Sequence, residues 1–156
     1  MKMPNIDHAT IVLERSLAAA PSEVFAAWSD REALLDWSAP GNGWDMVYRA
    51  FDFRVGHTDV LTFGPIGAEP YINSVHYHAI RADQFIVYSS TVSHENGLLF
   101  TGTVLLELVE TVSGTDFRLT ETGFYFDGDS PEGHKEGWAA MLDGLAAYLA
   151  RDLRAA

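Results

Sequence analysis

The sequence predicts an α+β domain in which a curved antiparallel sheet wraps around a long C-terminal helix. Two observations carry this prediction. A strand-like segment is followed by two short helices and six further strand-like segments, and one long amphipathic segment ends the chain. Short connections between the strands indicate antiparallel neighbours, because parallel pairing needs a long crossover. No linker, repeat or shift in composition divides the 156 residues. We therefore expect a single domain over residues 1–156, with its core at about 8–153.

The last segment, Pro131 to Leu153, has the pattern of an amphipathic helix. Ser130 is expected to be its N-cap, followed by Pro131 at the first helical position and by the acidic Glu132 in the first turn. Burying one large apolar side chain contributes roughly 1.5–3 kcal/mol, so the apolar face of this helix needs a partner. The apolar residues at the spacing of that face are Trp138, Met141, Leu142, Leu145, Tyr148 and Leu149.

The N-terminal part of the chain supplies the first strand and the two short helices. Between residues 8 and 17 apolar and polar residues alternate with the period of a half-buried strand, with Arg15 as the exception. Pro21 begins a helix that runs to about residue 28. Ser29 and Glu32 match a capping box, which predicts that a second helix starts there and ends at about residue 37.

Turn residues separate the six remaining strands. Asn96-Gly97 is the strongest of these signals, because both residues tolerate the positive φ angles of a tight hairpin. The fourth strand does not sort into two faces, so the directions of His76 and His78 stay open. The predicted strands lie at about 44–54, 58–64, 70–80, 84–93, 98–110 and 115–126.

Alternation within the last two strands assigns their inner faces. In the sixth strand Leu98 and Phe100 are predicted to share the apolar face. In the seventh strand parity places Glu121 and Tyr125 on the same side as Leu119. A carboxylate that faces the helix side is the most pointed single observation in the chain.

Composition narrows the classes of partner. The formal net charge is −12 and the ten Lys and Arg residues are scattered singly, which argues against binding to nucleic acid or to an anionic membrane. The chain has no cysteine, which excludes disulfides and thiol chemistry. No stretch approaches the roughly 18 apolar residues of a membrane span, and the first residues lack an apolar leader. We expect a cytoplasmic protein.

Motifs of common catalytic and cofactor sites are missing from the sequence. It contains no Gly-x-Ser-x-Gly elbow, no Gly-x-Gly-x-x-Gly or phosphate-binding loop, and no His-Glu-x-x-His. His76 and His78 share a strand face, but no third ligand is recognisable. We therefore expect neither a metal site nor a cofactor.

Glu121 has two interpretations. It is either a partly buried acid that serves as general acid or base, or that orients a polar ligand group, or a structural carboxylate paired with Arg15, Arg54 or a tyrosine hydroxyl. Both interpretations require a partner, because an unpaired buried charge is too costly. For Asp52 and Arg54, two residues apart, a salt link is favoured over an anion site.

Several blocks, read in order, resemble the AHSA-type proteins. This family is named after the activator of the heat-shock-protein-90 ATPase and belongs to the SRPBCC, or START-like, helix-grip superfamily. The resemblance covers about residues 11–149. The blocks are APSEVFAAWSD at 20–30 with Trp37, FDFRVG at 51–56, YHAI at 77–80, LTETG at 119–123 and Gly137-Trp138.

The resemblance implies a helix-grip fold of about seven strands with a cavity between the sheet and the C-terminal helix. The sequence departs from the family's pattern at His57, where members often have glycine, and at Ser38, where they often have an aromatic residue. The expected partner is a small apolar or aromatic molecule. The residues expected to contact it are Trp37, Trp44, Tyr48, His76, Tyr77, Tyr88, Phe100, Glu121, Trp138, Met141 and Leu142.

Three functions follow from the resemblance. The first is a binding protein for a small hydrophobic ligand. The second is an enzyme of the polyketide cyclase, isomerase or hydrolase kind, with Glu121 as acid or base. The third is a co-chaperone-like interaction domain. A homodimer and a chaperone contact stay open.

Overall fold

The computed structural model describes residues 4–95 and 97–155. The strands and helices follow the predicted order, and the predicted fold is confirmed. Asn96 of the predicted Asn96-Gly97 turn lies outside the described residues, although the strands on either side of it pair. The elements are β1 (Asp7–Leu17), α1 (Pro21–Ser29), α2 (Arg31–Ser38), β2 (Trp44–Ala50), β3 (Thr58–Pro65), β4 (Tyr71–Arg81), β5 (Phe85–His94), β6 (Gly97–Thr111), β7 (Gly114–Tyr125) and α3 (Pro131–Ala155).

One seven-stranded sheet contains all the strands of the described residues, in the order β1-β7-β6-β5-β4-β3-β2. Every neighbouring pair is antiparallel. The helices α1 and α2 connect β1 to β2, which lie at the two edges of the sheet. The last strand of the chain, β7, pairs with the first, β1. The helix α3 packs against β1 and α2. No helix in the described part of the chain is long and apolar enough to cross a membrane.

Two glycines bring β6 and β7 unusually close on their inner face. Gly102 lies opposite Gly123, and the Phe100 ring packs over both. A Cβ on either glycine would lie 2.3 Å from a carbonyl oxygen of the facing strand. Side chains are therefore excluded here, and Phe100 occupies the space instead.

A register shift between β5 and β6 corrects one face assignment. Val92 pairs with Phe100 but Ser93 pairs with Leu98, so one extra residue is inserted in β6. The inserted residue reverses the alternation. Leu98 is consequently 41% exposed, not on the inner face as predicted, and Leu99 lies in the interior instead.

The start of α2 also differs from the prediction. Asp30, not Ser29, is the N-cap, because its side chain accepts a hydrogen bond from the Ala33 amide at 2.9 Å. The Ser29 hydroxyl is turned back to the Ala26 carbonyl at 3.4 Å. The capping-box prediction was wrong because α1 continues one residue further than predicted, which moves the N-cap of α2 from Ser29 to Asp30.

The predicted second strand is shorter than expected and ends at Ala50. The chain then leaves the sheet in a loop that Asp59 holds in place. This carboxylate is 2% exposed and accepts the Asp52 amide at 2.6 Å and the Tyr77 hydroxyl at 2.7 Å. The salt link favoured for Asp52 and Arg54 is present, with two bonds of 2.7 and 2.8 Å.

The helix α3 is anchored by three fully or nearly fully buried leucines, Leu142, Leu145 and Leu149. Its N-cap is Ser130, as predicted, because the Ser130 hydroxyl accepts the Gly133 amide at 3.0 Å. A Cβ on Gly144 would lie 2.3 Å from the Trp37 carbonyl oxygen. The glycine therefore allows α3 to approach α2 closely.

Alanine at the two α3 glycines should have opposite effects. A Cβ on Gly137 would meet nothing within 4 Å, so Gly137→Ala should raise the free energy of unfolding by up to about 1 kcal/mol through helix propensity. Gly144→Ala should lower it, because the added methyl collides with the Trp37 carbonyl. Urea denaturation of the two variants measures both effects, and a shift of the same sign in both would contradict this packing.

Candidate functional site

A cavity of about 440 Å³ lies between the inner face of the sheet and the first half of α3. Most of the side chains that line it are aliphatic or aromatic and come from α1, α2, β2 to β7 and α3. The polar ones, apart from the tyrosine hydroxyls, are Ser38, Asn73, Ser90, Glu121, Asp129 and His134.

Glu121 is the most deeply buried polar group of this wall, at 2% exposure. Its Oε2 accepts the Tyr125 hydroxyl at 3.0 Å and lies 2.8 Å from Nδ1 of His134. Its Oε1 accepts the Trp138 indole N–H at 3.0 Å. Of the partners considered from sequence, only the tyrosine hydroxyl is used. Arg15 lies 4.0 Å from Asp143 instead.

His134 bridges Glu121 to a second carboxylate. Its Nδ1 faces Glu121, and its Nε2 lies 2.6 Å from Oδ2 of Asp129. Ionised carboxylates only accept hydrogen bonds, so both ring nitrogens must carry a proton and the ring is an imidazolium. Its ring also lies 4.6 Å from that of Phe100 and 4.9 Å from that of Tyr125, centroid to centroid.

The electrostatic environment agrees with a charged ring. Burial by itself lowers the pKa of His134, but the hydrogen bonds to Asp129 and Glu121 and the charges of both carboxylates outweigh burial and raise the pKa to about 9. We call Glu121, Asp129 and His134 the charged triad. The triad joins β7, the loop before α3 and the first turn of α3.

The local sequence places the triad. Asp129 precedes the N-cap, and its Oδ1 accepts the Ser130 amide at 2.9 Å, which orients Oδ2 toward the helix. His134 lies one turn before Trp138, so both side chains project from α3 to the same carboxylate. Parity in β7 had predicted the inward direction of Glu121, which the structure shows.

Three tyrosines form the opposite part of the wall. The Tyr77 hydroxyl is bound to Asp59, whereas the hydroxyls of Tyr48 and Tyr88 have no hydrogen-bond partner within residues 4–95 and 97–155. Burial raises the pKa of both free tyrosines, with the negative charge of Asp59 adding to the effect at Tyr48 and that of Glu121 at Tyr88. Both stay neutral hydroxyls able to donate to a ligand.

Seven of the eleven residues expected from sequence lie in the cavity wall. Ser38, noted as a departure from the family, lies there as well, whereas the His57 ring lies 3.1 Å from Asp52. The seven are Tyr48, Tyr77, Tyr88, Phe100, Glu121, Trp138 and Met141.

Four expected residues do not line the cavity, and each has a physical reason. Trp37 is buried beside α1 and donates its indole N–H to the Ala27 carbonyl at 2.9 Å. Trp44 starts the edge strand β2 and is 39% exposed. Leu142 lies on the core side of α3 and is fully buried.

His76 is the fourth of these residues, and it lies on the outer face of the sheet. Its Nδ1 is 2.8 Å from the Thr58 hydroxyl, and its ring lies 5.1 Å from that of His78. The described residues contain no group of three or more side chains arranged to hold a metal ion.

His134 and Asp129 were missed from sequence, although one signal was available for the histidine. The apolar face of α3 was read from Trp138 onward, and extending it backward by four residues reaches His134. Asp129 gives no such signal, because it lies outside the helix and its direction depends on the loop.

The stability of the protein should fall as the pH rises through the pKa of His134. The folded-state pKa of about 9 exceeds the ordinary histidine pKa of 6.5, so the contribution of the protonated ring is complete below about pH 6.5 and lost above about pH 9. After allowance for solvent screening, the loss should be on the order of 1–2 kcal/mol. His134→Gln should remove this decline.

Urea denaturation at about pH 6 and about pH 9.5 measures the effect. The matched control is His76→Gln, which replaces a histidine on the outer face and should keep the wild-type decline. A decline of equal size in the His134→Gln protein would show that the triad is not its source.

The comparisons with known proteins agree with this architecture. Residues 18–150 match the family described as Activator of Hsp90 ATPase homolog 1-like protein. The solved structure of the Mll3558 protein from Rhizobium loti is 32% identical, with a TM-score of 0.83 over 93% of this chain and 99% of that chain. An uncharacterized protein from Rhizobium leguminosarum is 27% identical, with a TM-score of 0.84 over 96% of this chain and 99% of that chain.

A more distant solved structure shows the same fold. The AHSA1-like protein from Aeromonas hydrophila is 19% identical, with a TM-score of 0.68 over 92% of this chain and 94% of that chain. A comparison with curated proteins gave no match. The family match covers most of the chain and the structure has the helix-grip architecture that the resemblance implied. The chain therefore belongs to the family of Activator of Hsp90 ATPase homolog 1-like proteins.

Proposed function

We propose that the protein binds a small apolar or aromatic molecule in the cavity between the sheet and α3. The observation that supports this proposal is the cavity itself, with its volume and its mostly apolar wall. Protein interiors are normally close-packed, with few voids larger than a water molecule, whereas this one leaves about 440 Å³. A mostly apolar cavity of that volume with a few fixed polar groups has the size and chemistry of a ligand site.

The polar groups of the wall support the same function. The hydroxyls of Tyr48 and Tyr88 are available for a ligand, because they have no partner among the described residues. Trp28 also lines the cavity, and its buried indole N–H has no partner in the same part of the chain. An unsatisfied buried donor costs about 1–3 kcal/mol, so a ligand acceptor within its reach would be favoured.

We place the entrance to the cavity beside α3. Gly133 and Gly137, one turn apart on this helix, line the cavity and are also exposed to solvent. A Cβ on Gly137 would meet nothing within 4 Å, so a gap lies beside this position of α3. The helix-propensity cost of glycine at position 137 is consistent with a need for this gap.

The geometry is less suited to the alternative of acid–base catalysis by Glu121. Both of its carboxylate oxygens already accept hydrogen bonds from the protein, whereas a general base must reach a substrate proton directly or through one water. We interpret Glu121 as a positioning residue that holds His134 and Trp138 at the cavity wall.

Closing the gap at Gly137 should abolish binding without unfolding the protein. Thermal-shift screening of apolar and aromatic compounds should identify a ligand that stabilises the folded protein. At a concentration of a hundred times its Kd, such a ligand raises the free energy of unfolding by about 2.7 kcal/mol. In Gly137→Leu the same compound should give no shift, because leucine occupies the gap. Ala140→Leu is the control, since it adds the same side chain at an exposed position outside the cavity wall.

Two results would contradict the proposal. One is a broad screen in which no compound stabilises the wild-type protein. The other is a Gly137→Leu protein that keeps the full ligand-induced shift, which would place the ligand somewhere other than this cavity.

A further inference from the structure

We infer that the cavity selects its ligand by charge: it accepts uncharged and cationic molecules and rejects anions such as carboxylates. This inference rests on the proposed function and narrows it. Apolar molecules in cells include many with a carboxylate head, so charge would divide the candidate ligands into two classes.

The first step is the charge of the triad, which follows from its hydrogen bonds. Glu121 accepts the Tyr125 hydroxyl on one oxygen and the Trp138 indole N–H on the other, and these donors favour its ionised form. Asp129 accepts from the Ser130 amide and from His134. His134, between them, is an imidazolium. Two carboxylates and one cation leave a net charge of −1 at the cavity wall.

The second step is that no cation of the wall is free to pair with a bound anion, because both ring nitrogens of His134 already face Glu121 and Asp129. No Lys or Arg side chain is among the described residues that line the cavity. Arg54 is held by Asp52, Arg49 donates to Thr62, and Arg118 is paired with Glu107. A carboxylate in the cavity would lose its hydration without gaining a counter-ion, which is strongly unfavourable.

The third step concerns α3, whose N-terminus lies beside the cavity and would otherwise attract an anion. Pro131 has no amide hydrogen, and two of the next amides already have partners. The Gly133 amide donates to the Ser130 hydroxyl and the His134 amide to the Ser130 carbonyl. Glu132 and Asp129 also place negative charge at this end. The positive end of the helix dipole is thus neutralised by the protein itself.

The remaining wall suits a neutral or positive group. The free hydroxyls of Tyr48 and Tyr88 can bind a carbonyl, hydroxyl or amine. The rings of Trp28 and Trp138 lie 6.2 Å apart, centroid to centroid, and both residues line the cavity. Indole rings attract cations, and desolvation strengthens that attraction.

Three matched probes test the inference by isothermal titration calorimetry on the full chain at about pH 7. They share a naphthalene ring and differ in the head group: 1-naphthylacetate is anionic, 2-(1-naphthyl)ethanol is neutral and 2-(1-naphthyl)ethylamine is cationic. We expect the carboxylate to bind at least about tenfold more weakly than the alcohol, because its charge is desolvated without a partner.

Carboxylate binding within about threefold of the alcohol would overturn the inference and leave the proposed function intact. Absence of binding by all three would count against the proposed function, and the inference with it.

Variants assign the discrimination to the triad. Glu121→Gln and Asp129→Asn each reduce the net charge of the triad to zero, so each should bring the carboxylate to within about threefold of the alcohol. Asp129 is less buried than Glu121, so its substitution disturbs the fold less. If Glu121→Gln does not fold, Asp129→Asn decides the test. Glu136→Gln removes one exposed negative charge from the same helix outside the cavity wall and should keep the tenfold difference. Loss of discrimination in that control would assign it to the overall charge and overturn the inference.

Discussion

The bridge from the His134 imidazolium to Glu121 and Asp129 fixes the first half of α3 against the sheet. The leucines that anchor α3 to the core lie at 142, 145 and 149, beyond the cavity. Near the cavity itself, Trp138 and Met141 are only partly buried against the core, and hydrogen bonds to Glu121 add to this packing. The bridge therefore helps to hold α3 beside the open space between the helix and the sheet.

The same bridge determines the chemistry of the open space. Each carboxylate oxygen and ring nitrogen of the triad already has a protein partner, so the triad shapes and charges the wall more than it offers bonds to a ligand. The hydrogen bonds left for a ligand come from the tyrosines on the opposite wall and from the Trp28 indole N–H. A site of this kind recognises shape, apolar surface and charge, which suits binding more than catalysis.

The sequence predicted the fold well because its signals were local. Alternation in the strands, turn residues and the amphipathic pattern of α3 each act over a few residues, and parity alone placed Glu121 inward. The errors arose where one residue shifts the register or the cap, as at Leu98 and Ser29. Trp37 and Leu142 were misplaced because a buried aromatic or leucine has the same sequence pattern whether it faces a cavity or a packed core. Asp129 depends on a loop that has no periodic pattern.

The charge state of His134 is the most direct test of this account. Side-chain ¹⁵N NMR of the imidazole at about pH 8 distinguishes an imidazolium from a neutral ring, since an unperturbed histidine is mostly neutral there. The account predicts two protonated ring nitrogens at that pH, with loss of one proton only near pH 9. A neutral ring with one unprotonated nitrogen at about pH 8 would contradict it, because the ring could then not donate to two ionised carboxylates and the triad would carry a different charge.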